Sequence, residues 1–288
     1  MKSTEHLAVG KRLICGCALL LASVAAQAAG IAFVTDIKGD ATVDSAKLML
    51  MSELNRGQRV GCAKECMVGV MFLQSGKEFV VTGPGEYLVG ENDVTAKIGV
   101  PPKVRETAWR VSSQTVAQVG RTSSASVRMR GVNRAKPGVK PPAERLLYPL
   151  HTSVPSLQPL FRWTSANARG PFEFELFGAR AGKPLYKAKA TATSIKLPAN
   201  LKLPPDAEFH WTVGAAGAVL GSGSFKTLSS ESLELAQKRK PDDKAPFADW
   251  LLYALTLQEL GAAQDAQAIW NKLAAERPYL PELTALAK

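Results

Sequence analysis

The sequence predicts a mainly β protein with a C-terminal α segment, and three observations carry that expectation. Between residues 31 and 95, short apolar runs such as "IAFVTDI", "GQRVGC", "CMVGVMFLQSGKEFVVT" and "EYLVG" are broken by Gly39, Gly57, Ser75-Gly76 and Gly83-Pro84-Gly85. Between 147 and 228, aromatic residues alternate with polar ones at the two-residue period of a strand. From residue 229 onward the apolar period lengthens to that of a helix.

At 288 residues, with 46% hydrophobic residues, 18 prolines and 23 glycines, the chain can bury sizeable cores and suits two or three modest domains. The N-terminal "MKSTEHLAVGKR" carries Lys2, Lys11 and Arg12. The uncharged "LICGCALLLASVAAQA" follows, and Ala26-Gln27-Ala28 fits a small-residue cleavage site. Residues 1–28 therefore read as a secretory signal peptide. The alternative is an uncleaved membrane anchor, because Leu13 to Thr35 is uncharged and about long enough to span a bilayer. Cys15 and Cys17 open the apolar run rather than close it, which argues against a lipid-accepting cysteine.

With the signal removed, Cys62 and Cys66 are the remaining cysteines. An exported chain meets an oxidising compartment, where a nearby pair closes. The C-x3-C spacing is not the C-x2-C of thioredoxin-like sites or zinc knuckles, and His151 and His210 lie far apart in the chain. The expectation is a disulfide on a hairpin whose loop is Ala63-Lys64-Glu65, with no metal and no cofactor. A loop this short adds about 2 kcal/mol by chain entropy.

Within the first β section, Val68, Val70 and Phe72 fall on one strand face and Met67, Met71 and Leu73 on the other, the pattern of a strand buried on both sides. Residues 29–96 read as one small β-domain. The succession "IKGDATV", "LNRGQRVG", "VGVMFLQSGKEFVV" and "GPGEYLV" resembles the FecR-like domain over about residues 31 to 95. Members of the founding type carry signals across the cell envelope, from an outer-membrane transducer to a sigma factor. The resemblance thus implies a periplasmic sensor or regulator whose partner is another envelope protein. The chain departs from that type in having only 12 residues before the apolar run and a different C-terminal half, so the domain does not carry its usual partner with it.

Residues 97–146 hold the charge. Lys97, Lys103, Arg105, Arg110, Arg121, Arg128, Arg130, Arg134, Lys136, Lys140 and Arg145 face only Glu106 and Glu144, against a formal charge of +11 for the whole chain. Two readings stand. One is a solvated, Pro-rich linker, as "NRAKPGVKPPAERLLYP" suggests. The other is a patch around Arg121, Arg128, Arg130 and Arg134 that contacts an anionic cell-wall polymer, a glycan or a membrane surface. Val104, Ala108, Val111, Thr115 and Val119 share a helical spacing and predict a short amphipathic helix. Export and the lack of an aromatic-interleaved basic motif argue against nucleic acid.

Residues 147–228 read as an antiparallel sandwich. Phe161 and Trp163 share a strand face, as do Phe172, Phe174 and Leu176, and again Phe209, Trp211 and Val213. The early "F-x-W", the later "F-x-W-x-V" and the closing "F-x-T" resemble a fibronectin type III or Ig-like module. Such a stripe of rings is expected to be core, and His210 points away from it.

Residues 229–288 read as helices. "SSESLELAQKRK" opens on a serine cap with an acidic first turn and closes on a basic last turn. The stretch "FADWLLYALTLQELGAAQDAQAIWNKLAAERPYLP" reads as two helices joined near Gly261 and stopped by Pro278, with Trp250, Ala254 and Leu257 on one stripe and Ala266, Trp270 and Leu273 on the next. This register resembles one tetratricopeptide repeat of about 34 residues. A lone repeat cannot bury both faces, so it is either a docking cap or a partner-binding surface with Trp250 and Trp270 at its centre.

No nucleophile elbow, H-E-x-x-H or Walker motif is present, and the glycine-rich stretches lie between strands with no helix after them. The expectation is a non-enzymatic protein that binds.

Overall fold

The structure, a computed structural model, describes residues 30–287 except 108, 131–143, 166–167 and 181; within 123–145 it describes no side chain. The proposed signal peptide, and Arg134 of the basic section, lie outside the described residues. The chain is mainly β with a C-terminal helical segment. Among the described residues no helix is long and apolar enough to cross a membrane.

The first module is a sandwich of ten strands: β1 (Ala32–Lys38), β2 (Ala41–Val43), β3 (Ala46–Lys47), β4 (Glu53–Leu54), β5 (Arg59–Cys62), β6 (Met67–Phe72), β7 (Lys77–Thr82), β8 (Gly85–Val89), β9 (Val94–Ile98) and β10 (Lys103–Glu106). They form two antiparallel five-stranded sheets, ordered β10-β7-β6-β1-β4 and β3-β2-β5-β8-β9. Ala32, Val34, Val68, Val70 and Phe72 from the first sheet meet Val60, Tyr87 and Val89 from the second in one buried core. β6 is buried on both faces, as its sequence predicts: Val70 lies in that core while Met71 lies in another, beneath the helices.

Two expectations are corrected here. Cys62 and Cys66 are bonded, but they do not flank a hairpin. β5 pairs with β2 and β8, whereas β6 pairs with β1 and β7, so the bridge closes the turn where the chain crosses from one sheet to the other. The crossover sits tightly. Gly83 donates its N–H to the Cys66 carbonyl at 2.8 Å, and a Cβ at Gly83 would stand 1.6 Å from the Ala63 oxygen.

The second correction concerns the basic section. Residues 97–130 are not an extended linker: β10 pairs with β7 and completes the first sheet, and α1 (Ser113–Arg130) follows. The helix begins later than its apolar spacing implies, because Val104 is held in β10 opposite Phe79. Ser112 caps it, its Oγ accepting from the Thr115 N–H at 3.1 Å.

The second module contains β11 (Glu144–Tyr148), β12 (Ser153–Val154), β13 (Leu160–Ser165), β14 (Phe172–Gly178), β15 (Tyr186–Ala190), β16 (Ser194–Lys196), β17 (Glu208–Ala215) and β18 (Ala218–Thr227). The sheets run β11-β13-β16 and β12-β18-β17-β14-β15, antiparallel except where β12 joins β18. The alternating rings are the core between them: the Phe161 centroid lies 4.8 Å from Phe174 and 5.2 Å from Trp211. The Trp211 indole N–H is satisfied by the Pro149 carbonyl at 2.8 Å. His210 lies on the opposite face, stacked on Phe177.

The tail folds into α2 (Ser230–Arg239), α3 (Phe247–Glu259), α4 (Ala263–Glu276) and α5 (Pro281–Leu286). Ser229 caps α2, as expected, accepting from the Ser232 N–H at 3.2 Å. Gly261, at φ +75°, makes the α3–α4 turn. These helices and α1 share one core with Phe33, Leu50, Met51 and Met71 of the first sandwich.

Candidate partner-binding surface

The helices meet the first sandwich at a joint. A row of directly opposed residues, Phe33, Met71, Glu78 and Arg105, crosses β1, β6, β7 and β10 on the face toward the helices. Its apolar half packs into the helical core and its polar half forms a network. Arg105 Nε donates to Glu78 Oε2 at 2.7 Å, and Nη1 donates to both oxygens of Asp249 on α3 at 2.8 and 2.9 Å. The Trp109 indole N–H donates to the same Asp249 at 3.1 Å, and the Thr35 hydroxyl donates to Glu78 at 2.5 Å. Gly69 makes room for this cluster, since a Cβ there would lie 2.6 Å from the Thr35 hydroxyl. Burial lowers the Arg105 pKa, but its two carboxylates more than compensate and the net direction is upward. Nearby, burial pushes the Asp36 carboxyl up while Arg277, at 3.7 Å, pulls it down.

A second joint ties the helices to the other sandwich. Gln264 on α4 accepts from the Leu150 N–H at 2.7 Å and donates to the Leu147 carbonyl at 2.9 Å. The Tyr148 hydroxyl donates to Asp265 at 3.1 Å. Burial raises the Asp265 carboxyl to about 6, against the pull of Tyr148 and Arg162, and also raises the Tyr148 phenol. The helical tail is thus wedged between the two sandwiches.

That placement decides the fate of the two tryptophans singled out from sequence. Trp250 and Trp270 are 7% and 2% exposed and belong to the shared core, so neither ring is offered to a partner. Lys272 Nζ also covers Trp250, 3.3 Å from the ring centroid. Their helical stripe is the docking face of the cap. Of the arginines, Arg121 is exposed on α1; Arg128 and Arg130 lie on the same helix, without described side chains.

The open surface lies elsewhere. β9 and β10 are the outer strands of their sheets, and residues 99–102 join them directly. This segment exposes Ile98 (65%), Val100 (64%) and Val104 (56%). Val104 stands opposite Phe79, a core residue, so the space between the sheets is uncovered there. Lys97 and Lys103 are exposed beside these aliphatics and make no ion pair with any described residue.

No protein-family model matches this chain, and no curated protein matches it. A second concavity, about 530 Å³, opens on the second sandwich beside His151, Glu208, His210, Ser224 and Lys226. His151 Nδ1 and Ser224 Oγ are 3.4 Å apart there. Among the described residues no group of three His, Cys, Asp or Glu side chains is spaced to hold a metal ion.

Sequence reasoning missed both the joint and the open edge. The joint left a trace: a strand apolar on both faces needs a second covering layer, and the helical tail was the part of the chain that needed one. The edge left none, because Lys97, Ile98, Val100 and Lys103 read as linker until β9 and β10 are placed in their sheets.

Proposed function

We propose that this is an exported, non-catalytic envelope protein that works by protein–protein contact, as a FecR-like periplasmic sensor or scaffold. Its contact surface is the β9–β10 edge. The single observation that carries this reading is the coincidence of two unpaired strand edges, three exposed aliphatic side chains and two unpaired lysines within residues 97–104. Unpaired edge N–H and C=O groups are a template for an added strand, and the lysines favour acidic residues in it. The occupant is therefore an extended, acidic segment of another envelope protein. Export is supported by the leader sequence and is compatible with the Cys62–Cys66 bond. The sensor role rests on the resemblance of residues 31 to 95 to the FecR-like domain.

Anchoring to an anionic wall polymer is second, because the basic section is partly engaged internally: Arg105 is bound by Glu78 and Asp249, and Arg110 donates to the Trp109 carbonyl.

The test places a photo-crosslinking residue at position 100 of the full chain in cells, with and without Ile98→Asp and Val104→Asp. A crosslinked peptide that is extended and acidic, lost in both variants while their thermal unfolding is unchanged, supports the proposal. Capture unaffected by either variant overturns it. Capture of wall polymer that falls with added salt transfers the argument to anchoring.

A further inference from the structure

A cleft of about 570 Å³ lies between the β1–β3 rim of the first sandwich and the α4–α5 turn. Its walls include Ile37 and Leu48 on one side and Leu280 and Pro281 on the other. Tyr279 stands at the mouth, 57% exposed. Glu282 also lines it, and that side chain is anomalous. The residue is 3% exposed, its Oε2 is buried without a hydrogen-bond partner, and no lysine or arginine among the described residues lies within ion-pair distance.

A buried carboxylate without a partner is costly, because no donor or cation replaces the water it has lost. The first turn of α5 offers a small favourable dipole contribution at most. Arg277, the nearest candidate cation in sequence, is already directed to Asp36 and Glu276. At the rim, Asp40 and Lys47 are both exposed and oppose each other in sign. Glu282 is therefore the buried acidic side chain of the cleft, with no cation within ion-pair distance among the described residues.

We propose that this cleft binds an alkylammonium group, with the cation against Glu282, the methylene stem between Ile37, Leu48, Leu280 and Pro281, and the Tyr279 ring beside the entrance. Each part matches the chemistry of such a ligand. A carboxylate out of water gains from a charge-assisted N–H donor, aliphatic walls bury methylene groups, and an exposed aromatic ring attracts a cation in transit. The ligand chemistry is shared by a free diamine and by a lysine side chain presented by a partner protein. The inference does not rest on the β9–β10 contact.

The experiment titrates the full chain with 1,5-diaminopentane, with pentan-1-ol as the uncharged stem, and with Nα-acetyl-lysine methylamide as the protein-like source. Saturable binding of the diamine, at least tenfold weaker in Glu282→Gln and undetectable for the alcohol, is the expected result. Blocked lysine binding as tightly as the diamine assigns the site to a partner's side chain; diamine alone assigns it to a free ligand. Equal affinity for diamine and alcohol, or no saturable binding at all, overturns the proposal. Should Glu282→Gln lose its fold, the comparison of diamine with alcohol on the unmodified chain, together with Tyr279→Ala, carries the decision, a loss of at least threefold being expected for the latter.

Discussion

Arg105 and Asp249, 144 residues apart in the chain, are joined by two hydrogen bonds from one guanidinium nitrogen, at 2.8 and 2.9 Å. The same guanidinium holds Glu78, whose side chain is 3% exposed. A strand of the first sandwich and a helix of the tail are therefore fastened through one residue, and the desolvated carboxylate of Glu78 depends on it.

Removing that residue leaves both carboxylates uncompensated. Arg105→Ala is expected to cost about 3 kcal/mol in urea unfolding, with Arg105→Lys intermediate because an ammonium cannot reproduce the fork. A double-mutant cycle with Asp249→Asn should give a coupling of roughly 1–3 kcal/mol. A coupling near zero would mean that the pair adds nothing to the apolar docking around it.

The second joint should respond to pH. Asp265 titrates at about 6 rather than its ordinary 3.8 because it is buried. A carboxyl pKa raised on folding means that the native state holds the proton more tightly, so this contribution is complete below about pH 4 and is lost as the pH rises through about 6. The loss is on the order of 2–3 kcal/mol. Asp265→Asn, which still accepts from Tyr148, should flatten stability between about pH 4 and 6 and raise the thermal midpoint at neutral pH. A lower midpoint at both ends of that range would show that the Tyr148 bond to a charged carboxylate outweighs its burial.

The cysteine bridge should be silent until reduced. Cys62 and Cys66 are expected to resist alkylation in the native protein and to react after a reductant is added. The accompanying loss of stability should be small, about 2 kcal/mol for so short a loop. Thiols that react without reductant would remove the structural role and reopen a redox one.

Backbone approach at the sheet crossover sets a steric test. Gly83→Ala would place a methyl group on the Ala63 carbonyl and is expected to cost at least 3 kcal/mol or to prevent folding. Gly182→Ala, with nothing within 4 Å of the new methyl, should leave the denaturation midpoint unchanged. Equal effects at the two positions would contradict the crossover geometry.

The parts of the fold legible in the sequence were those set by local period. The two-sided burial of β6, the ring-lined core around Trp211, the Ser229 cap and the turn at Gly261 all follow from spacing within a few residues. What escaped was set by pairing at a distance. Nothing local to "KVRE" says that it will lie beside β7, yet that pairing turns a linker into a strand and Arg105 from a surface cation into a fastener. The misplacement of Cys62 and Cys66 on a single hairpin has the same origin: a three-residue loop looks alike whether the flanking strands share a sheet or change sheets. Trp250 and Trp270 lie on a stripe that predicts burial of some kind, but not whether the burying surface is internal or a partner.

The order of the segments along the chain carries one more implication. Phe33 and Met71 belong to strands made early, while α3, which packs into their core with the other helices, begins only at Phe247. A nascent chain emerging from its N-terminus can pair β1 to β10 early, but it cannot cover the helix-facing side of that first sheet until the later helices have been delivered. Until then the chain presents a bare, adhesive sheet face, the kind of surface that proteases and chaperones act upon. The helices from Phe247 onward therefore act as a late-arriving cover for an apolar sheet face laid down long before them.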